Sequence, residues 1–348
     1  MDSEVTAGPP RRVTIKDVAA RAGVSKGAVS LAFNDRPGVS QATRARIFEA
    51  ARELGWAPHL SARSLSNARV DTVGLAIARP ARMLGLEPWF MEFVSGIESV
   101  LVERHCSLLL RLVRDVREEI EVQEAWWRGR QIGGSILVDL HDEDPRVPAL
   151  HRLGLPAVAA GHPSLAGGFT CVWTDDGSAV VEAVRYLAAL GHRRIARVSG
   201  PASLGHSVIR TAAFEAAVRE LGLADGRTVA TDFSGEEGAR ATRALLASAD
   251  RPTAVIYDND IMAVAGLSVT AEMGLSVPAD VSLLAWDDSQ LCQLTRPTLS
   301  AMSHDVFGFG AEVARRLFDV LDDAAPGTHQ SPTPALTPRG STAPPRRP

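Results

Sequence analysis

Only three of the 348 residues are cysteine, Cys106, Cys171 and Cys292, and no two form a C-x-x-C pair. That excludes a disulfide framework and leaves a zinc site without support. Aromatic residues are scarce as well, at 5%, so the placement of each carries information. No apolar run approaches the roughly 18 residues that a membrane span needs. The opening MDSEVTAGPPRR is acidic and polar with no apolar core, so no secretory signal and a cytoplasmic, reduced protein are expected. Catalytic signatures are missing too: there is no G-x-S-x-G, H-E-x-x-H or Walker A pattern. Gly308-Phe309-Gly310 lacks the third glycine of a dinucleotide loop and precedes an amphipathic helix. Asp287 and Asp288 are adjacent, and neighbours on an extended chain point to opposite sides, which argues against a paired-carboxylate hydrolase. Neither an enzyme nor a cofactor or metal is expected.

What is present is ordinary globular composition, with 45% apolar and 22% charged residues in a chain long enough for two or three domains. The net charge of −4 is unremarkable until it is located along the chain. Residues 11–69 hold eleven basic residues against four acidic ones, a net +7, which leaves −11 on the remainder. A basic head on an acidic body points to a polyanionic partner for one end.

In that head, Thr14 and Asp17 make a capping-box-like start, and Ile15, Val18, Ala19 and Ala22 form one apolar helical stripe. Gly23 interrupts it, and Ser25 can cap a second short helix carrying Val29, Ala32 and Phe33. Ala19, Gly23 and Val29 supply the small contact residue, the turn residue and the aliphatic clamp of a helix-turn-helix. A generic helical hairpin would share the pattern; the local charge favours DNA. Ser40 caps a third helix, QATRARIFEAARELG, closed by Gly55. LSARSLSNARVD follows, a segment too short and polar to hold a helix alone in water, and it reads as a linker that orders against a partner.

VTIKDVAARAGVS, then VS and Asn34, then RPGVSQATRARIFEAARELGW, then Pro58 and SARSLS, together resemble the DNA-binding head of LacI/GalR-family bacterial transcription regulators. The resemblance implies that the second helix enters the major groove of a pseudo-palindromic double-stranded operator and that the linker becomes a hinge helix. It places Thr14, Ser25, Lys26, Gly27, Ser30, Leu31, Asn34 and His59 at the DNA. It also puts Ala62 between paired hinge helices and Leu65 as a wedge in a minor-groove base step, trading unstacking for a kinked duplex. Lys26 can read guanine or hold a phosphate. Leu31, where arginine is frequent in the family, can touch a thymine methyl or be core, so the operator sequence is not legible.

From Val70 the pattern becomes short apolar runs alternating with helices, in two cycles, which argues for α/β units with parallel sheets. HRRIARVSGP, RTAAF from Arg210, YDNDIMAVAGL, MGLSVPADVSLLAWDDS, RPTLSAM and LTPRGST resemble the family's type 1 periplasmic-binding-protein-like core of two subdomains around an effector cleft. The expected fold is thus a small all-α helix-turn-helix head plus an α/β core of two parallel-sheet subdomains. The expected boundaries are 11–58 for the head, 59–70 for the hinge linker, 71–343 for the core and 344–348 for a disordered tail. Crossovers between subdomains are expected near 171–175 and 296–303.

By the resemblance, Arg210 grips a carboxylate or vicinal hydroxyls, and Asn259 and Asp287 are polar contacts from two strand ends. Asp260 and Asp288 can instead cap the helices that follow them. Trp89, Phe90 and Phe233 fall where a ring could stack on a pyranose, or pack as ordinary core; Trp286 reads as core. Asp139 to Asp144 reads as a solvated loop rather than a metal site. Two departures, Gly161-His162 in place of an acidic residue and Ala285-Trp286 in place of a glycine-aromatic pair, leave sugar and nucleobase effectors both open. The whole reads as an allosteric, non-enzymatic homodimeric regulator, in all expectation a repressor controlled by a sugar, with no membrane partner and no tetramerising coiled coil.

Overall fold

The computed structural model describes residues 13–33, 36–56, 71–80 and 85–346. The chain divides into two compact units, Met1–Asp71 and Thr72–Pro348.

The first unit holds α1 (Ile15–Ala22), α2 (Lys26–Phe33) and α3 (Gln41–Glu53). The Asp17 carboxylate accepts from Thr14 N at 2.8 Å and from Thr14 Oγ1 at 2.7 Å, closing the start of α1. Gly23 ends α1 in the left-handed region at φ 64°, and Val24 N returns to Ala19 O at 3.0 Å. Ser25 Oγ accepts from Ala28 N, and Ser40 Oγ from Thr43 N. Val18, Ala19, Val29, Ala32, Ile47 and Ala51 are buried between the three helices. Of the residues that matched a helix-turn-helix in sequence, Ala19 and Val29 lie in this core and Gly23 makes the turn.

The second unit begins with β1 (Thr72–Ile77), α4 (Pro88–Glu103), β2 (Ser107–Leu112), α5 (Val116–Arg128), β3 (Gly134–Leu137), α6 (Arg146–Leu153), β4 (Ala157–Ala160) and β5 (Thr170–Trp173). The chain then enters a second half: α7 (Asp176–Ala189), β6 (Arg194–Ser199), α8 (Gly205–Glu220), β7 (Asp225–Ala230), α9 (Gly235–Leu246) and β8 (Ala254–Tyr257). That half continues with α10 (Asp260–Glu272), β9 (Ser282–Asp287), α11 (Gln290–Leu294) and β10 (Ser300–Ser303). Next, α12 (Val306–Leu321) and β11 (Thr328–Gln330) return to the first half, and β12 (Ala335–Thr337) ends in the second.

The two sheets run β11-β5-β4-β3-β1-β2 and β12-β10-β9-β8-β6-β7. All pairings are parallel except β10 with β12. Helices cover the central strands, so β3 and β8 are buried throughout, whereas no residue of the edge strands β2 and β7 is fully buried. The chain crosses between halves at 174–175, at 304–305 and again at 331–334. The second crossing lies just past the expected 296–303, because Ser300–Ser303 is itself a strand of the second sheet. The third has no counterpart in the sequence reading. Beyond the expected start of the tail at Pro344, Arg346 pairs with Asp280 at 3.0 Å. Among the described residues, no helix is long and apolar enough to cross a membrane.

Candidate functional site

On the first unit, α2 buries Val29 and Ala32 and leaves its opposite face exposed. Thr14, Lys16, Ser25, Lys26, Gly27 and Ser30 are all exposed, and Leu31 is half-buried. A Cβ built on Gly38 would lie 3.5 Å from Leu31 Cδ1, so part of that side chain packs on the following turn. Not all the positive charge is available to an external partner. Arg44 donates to Ala32 O and Arg46 to Ala22 O, satisfying the carbonyl ends of α2 and α1. Arg21 pairs with Glu53 at 2.7 Å. Asn34, His59, Ala62 and Leu65 lie outside the described residues.

In the second unit, loops at the carboxyl ends of both sheets face each other across a cleft, as expected for open α/β sheets. With its mouth the cleft encloses about 890 Å³. Arg79 after β1, Asp139 after β3, Gly161 and His162 after β4 and Thr174 after β5 line one side. Phe233 after β7, Asp258 after β8, Asp287 at the end of β9 and His304 after β10 line the other.

Two arginines organise the polar groups. Arg79 donates to both carboxylate oxygens of Asp139, at 2.8 and 3.1 Å, and to Glu87 at 3.2 Å. Its guanidinium lies 5.2 Å from the Phe90 ring and 4.8 Å from the Phe233 ring, so it is held between aromatics of the two halves. Arg210 donates to Asp176 at 2.9 Å and lies 4.0 Å over the Trp286 ring. Thr174 donates to the other Asp176 oxygen at 2.9 Å. Burial opposes the charge of Asp139 and of Asp176, but Arg79 and Arg210 respectively hold both below the usual carboxylate range.

Glu87 differs: burial pushes its carboxyl up to about 7, against the pull of Arg79. Burial, reinforced by Arg210, lowers His206 to about 4, which keeps its imidazole neutral. His304 Nε2 meets Asp287 at 3.2 Å, and its buried Nδ1 has no hydrogen-bond partner among the described residues.

Trp89, Phe90, Arg210, Phe233 and Asp287 all line this one cleft. Asn259 does not. It caps α10 by accepting from Met262 N at 2.9 Å, and it donates to Phe233 O at 3.0 Å and Glu87 at 3.4 Å. It positions the wall rather than forming it, and it takes the capping role that sequence offered to Asp260. Asp288 likewise caps nothing: it pairs with Arg339 at 2.8 Å while Ser289 caps α11. The expected solvated loop at Asp139–Asp144 is also corrected. Asp139 pairs with Arg79 at the cleft wall, and Asp144 is buried against Arg146, which also grips Glu119. Trp286 is fully buried, yet its face carries Arg210. Arg79, Glu87, Asp176, His206 and His304 were not singled out in sequence, and Asp139 was noted only as part of a loop. Position immediately after a strand would have flagged Arg79, Asp139 and His304.

Residues 14–59 match the family profile of bacterial regulatory proteins of the lacI family, and residues 184–342 match a periplasmic binding protein-like domain. The transcriptional regulator CelR of Thermobifida fusca is 33% identical over 313 residues, covering 89% of this chain and 92% of its own. The repressor PurR of Erwinia tasmaniensis is 31% identical, covering 88% of this chain and 89% of its own. Among solved structures, a CelR–cellobiose complex superposes with a TM-score of 0.72 at 30% identity, covering 95% of this chain and 100% of that one. The lac repressor dimer bound to operator and an anti-inducer gives 0.83 at 26% identity, with 96% and 100% covered. The chain belongs to the LacI family of bacterial regulatory proteins and is a DNA-binding transcriptional regulator.

Proposed function

We propose that this regulator is a homodimeric repressor whose operator affinity is set by a neutral saccharide bound in the cleft of its core. The head at 11–58 carries DNA recognition through the exposed face around Ser25, Lys26, Gly27 and Ser30. The core at 71–343 carries the effector, and the linker at 59–70 couples them. Two heads would read two half-sites of a pseudo-palindrome.

One observation carries the effector class: both arginines that line the cleft are already matched by carboxylates, Arg79 by Asp139 and Glu87 and Arg210 by Asp176. A phosphate or carboxylate ligand would have to displace a charge-matched partner in a buried setting, at a high cost. A polyhydroxy ligand needs only acceptors and donors, which Asp287, Asp139 and His304 offer, and an apolar face, which Trp89 and Phe233 offer. The cellobiose complex of a relative is consistent with that chemistry.

Isothermal calorimetry of the full chain against neutral sugars, sugar phosphates and nucleobases tests the class. Operator retention in gel shifts with each binder tests the role. Binding of a neutral sugar that releases operator is the expected result. A nucleobase that binds where no carbohydrate does would overturn the effector class, and a binder that tightens operator binding would reverse its sign.

A further inference from the structure

The cleft does not end at Arg79. A second cavity, also about 890 Å³ with its mouth, adjoins the first and shares Arg79 and Asp139 with it. Sheet order explains the arrangement. The three chain crossings gather at the β5/β11 edge of one sheet and the β10/β12 edge of the other. Loops after β4, β5, β9 and β10 therefore line the compartment nearest the crossings. The second cavity has no residue from those four loops: Asp115 and Val116 after β2 and Ser203 after β6 line it, together with the loops after β1, β3 and β7 that also reach the first cavity. Beside it the two halves are tied by Gly205 N donating to Leu140 O at 2.7 Å and by a His141–Leu204 bridge.

We infer that the effector is a linear neutral oligosaccharide of at least two rings, one in the inner compartment and the next in the outer, with the linkage against Arg79–Asp139. The inference rests on the saccharide reading above and deepens it. The outer lining has the mixed character that a sugar ring requires. Carboxylates of Asp115, Asp139 and Asp232 can accept from hydroxyls, and Val116, Leu204 and Pro201 supply apolar surface. A single planar base or a monosaccharide fills one compartment and leaves the other to water. A chain of rings runs outward along the direction in which strand order moves from the crossings to the sheet edge.

Calorimetry with glucose, maltose, cellobiose and cellotriose on the full chain tests this. At least one disaccharide is expected to bind tenfold or more tightly than glucose. Ser203 is exposed, so Ser203→Trp should obstruct the outer compartment without touching the inner one. It is expected to erase the disaccharide's advantage while glucose binds within about twofold of the parent chain. Val116→Trp, from the opposite wall, gives the same reading if the first variant fails to fold. Glucose binding as tightly as every disaccharide would overturn the two-ring inference and leave the saccharide reading standing. So would an advantage that survives a folded tryptophan variant. Absence of binding by all four sugars would sink both.

Discussion

Glu87 places one carboxylate oxygen on Arg79 and the other toward Asn259, joining the two halves of the core with a group that titrates at about 7. An unfolded glutamate titrates near 4.3, so the folded state binds this proton more tightly. The stabilisation from protonation is fully present below the unfolded value and is lost as pH rises through about 7. His206 acts in the opposite sense. Its contribution is present above the ordinary histidine range and is lost as pH falls toward about 4. Glu87→Gln should isolate the first effect: its melting temperature relative to the parent is expected to be highest at pH 8 and to fall steadily toward pH 5. A difference that does not change with pH would show that Glu87 is charged throughout. Arg210→Ala should abolish effector binding in calorimetry and destabilise the core by about 3–5 kcal/mol, because Asp176 would be left buried and unpaired. Adding Asp176→Ala should recover much of the stability in denaturant melts but none of the binding. Stability recovered together with binding would remove Arg210 from the effector site.

Helices α4 and α12 cross with backbone against backbone, and that contact fastens the returning chain to the first half. A Cβ on Gly310 would collide with the carbonyl oxygen of Phe93, and one on Gly96 with that of Phe307. Because the obstacle is main chain rather than a movable side chain, Gly310→Ala should cost at least the ~1–3 kcal/mol of ordinary overpacking. Arg315→Ala on the same helix, exposed to solvent, should stay within about 0.5 kcal/mol; equal costs in urea melts would refute the close crossing. The same pair shows what local pattern conveys. Gly308-Phe309-Gly310 was correctly rejected as a nucleotide loop, but nothing in it announces a partner two hundred residues away. Ser25, Gly23 and Ser40 were legible because caps and turns act within four residues. Helix α9 was passed over: of its buried face, Gly238, Ala241, Thr242, Leu245 and Leu246, only the last turn carries large apolar side chains. Asp139 was misread because it was grouped with the acidic run at Asp142–Asp144, while its partner Arg79 lies sixty residues earlier.

At the scale of the molecule, the division into a basic head and an acidic α/β body was written in the charge distribution and in the two cycles of apolar runs. The cleft's chemistry was only partly so. Aromatics are few enough to be noticed one by one, whereas the pairing that neutralises both arginines exists only once the strands are stacked. The proposed effector control requires coupling between cleft and head, which is testable without knowing which residues transmit it. Typical coupling of about 1–3 kcal/mol corresponds to roughly 5- to 150-fold in affinity, and it must be reciprocal. If cellobiose at saturation weakens operator binding by some factor, measured by fluorescence anisotropy, saturating operator must weaken cellobiose binding too. For a dimer with two sites, the product of the two site factors must equal the factor seen on the operator. Both measurements belong at one salt concentration, because phosphate neutralisation by the head makes operator affinity fall steeply with salt. Agreement of the two factors would show that the sugar bound in calorimetry is the one that acts on operator binding. A sugar that weakens operator binding while its affinity for the cleft is indifferent to operator must act through a site other than the cleft.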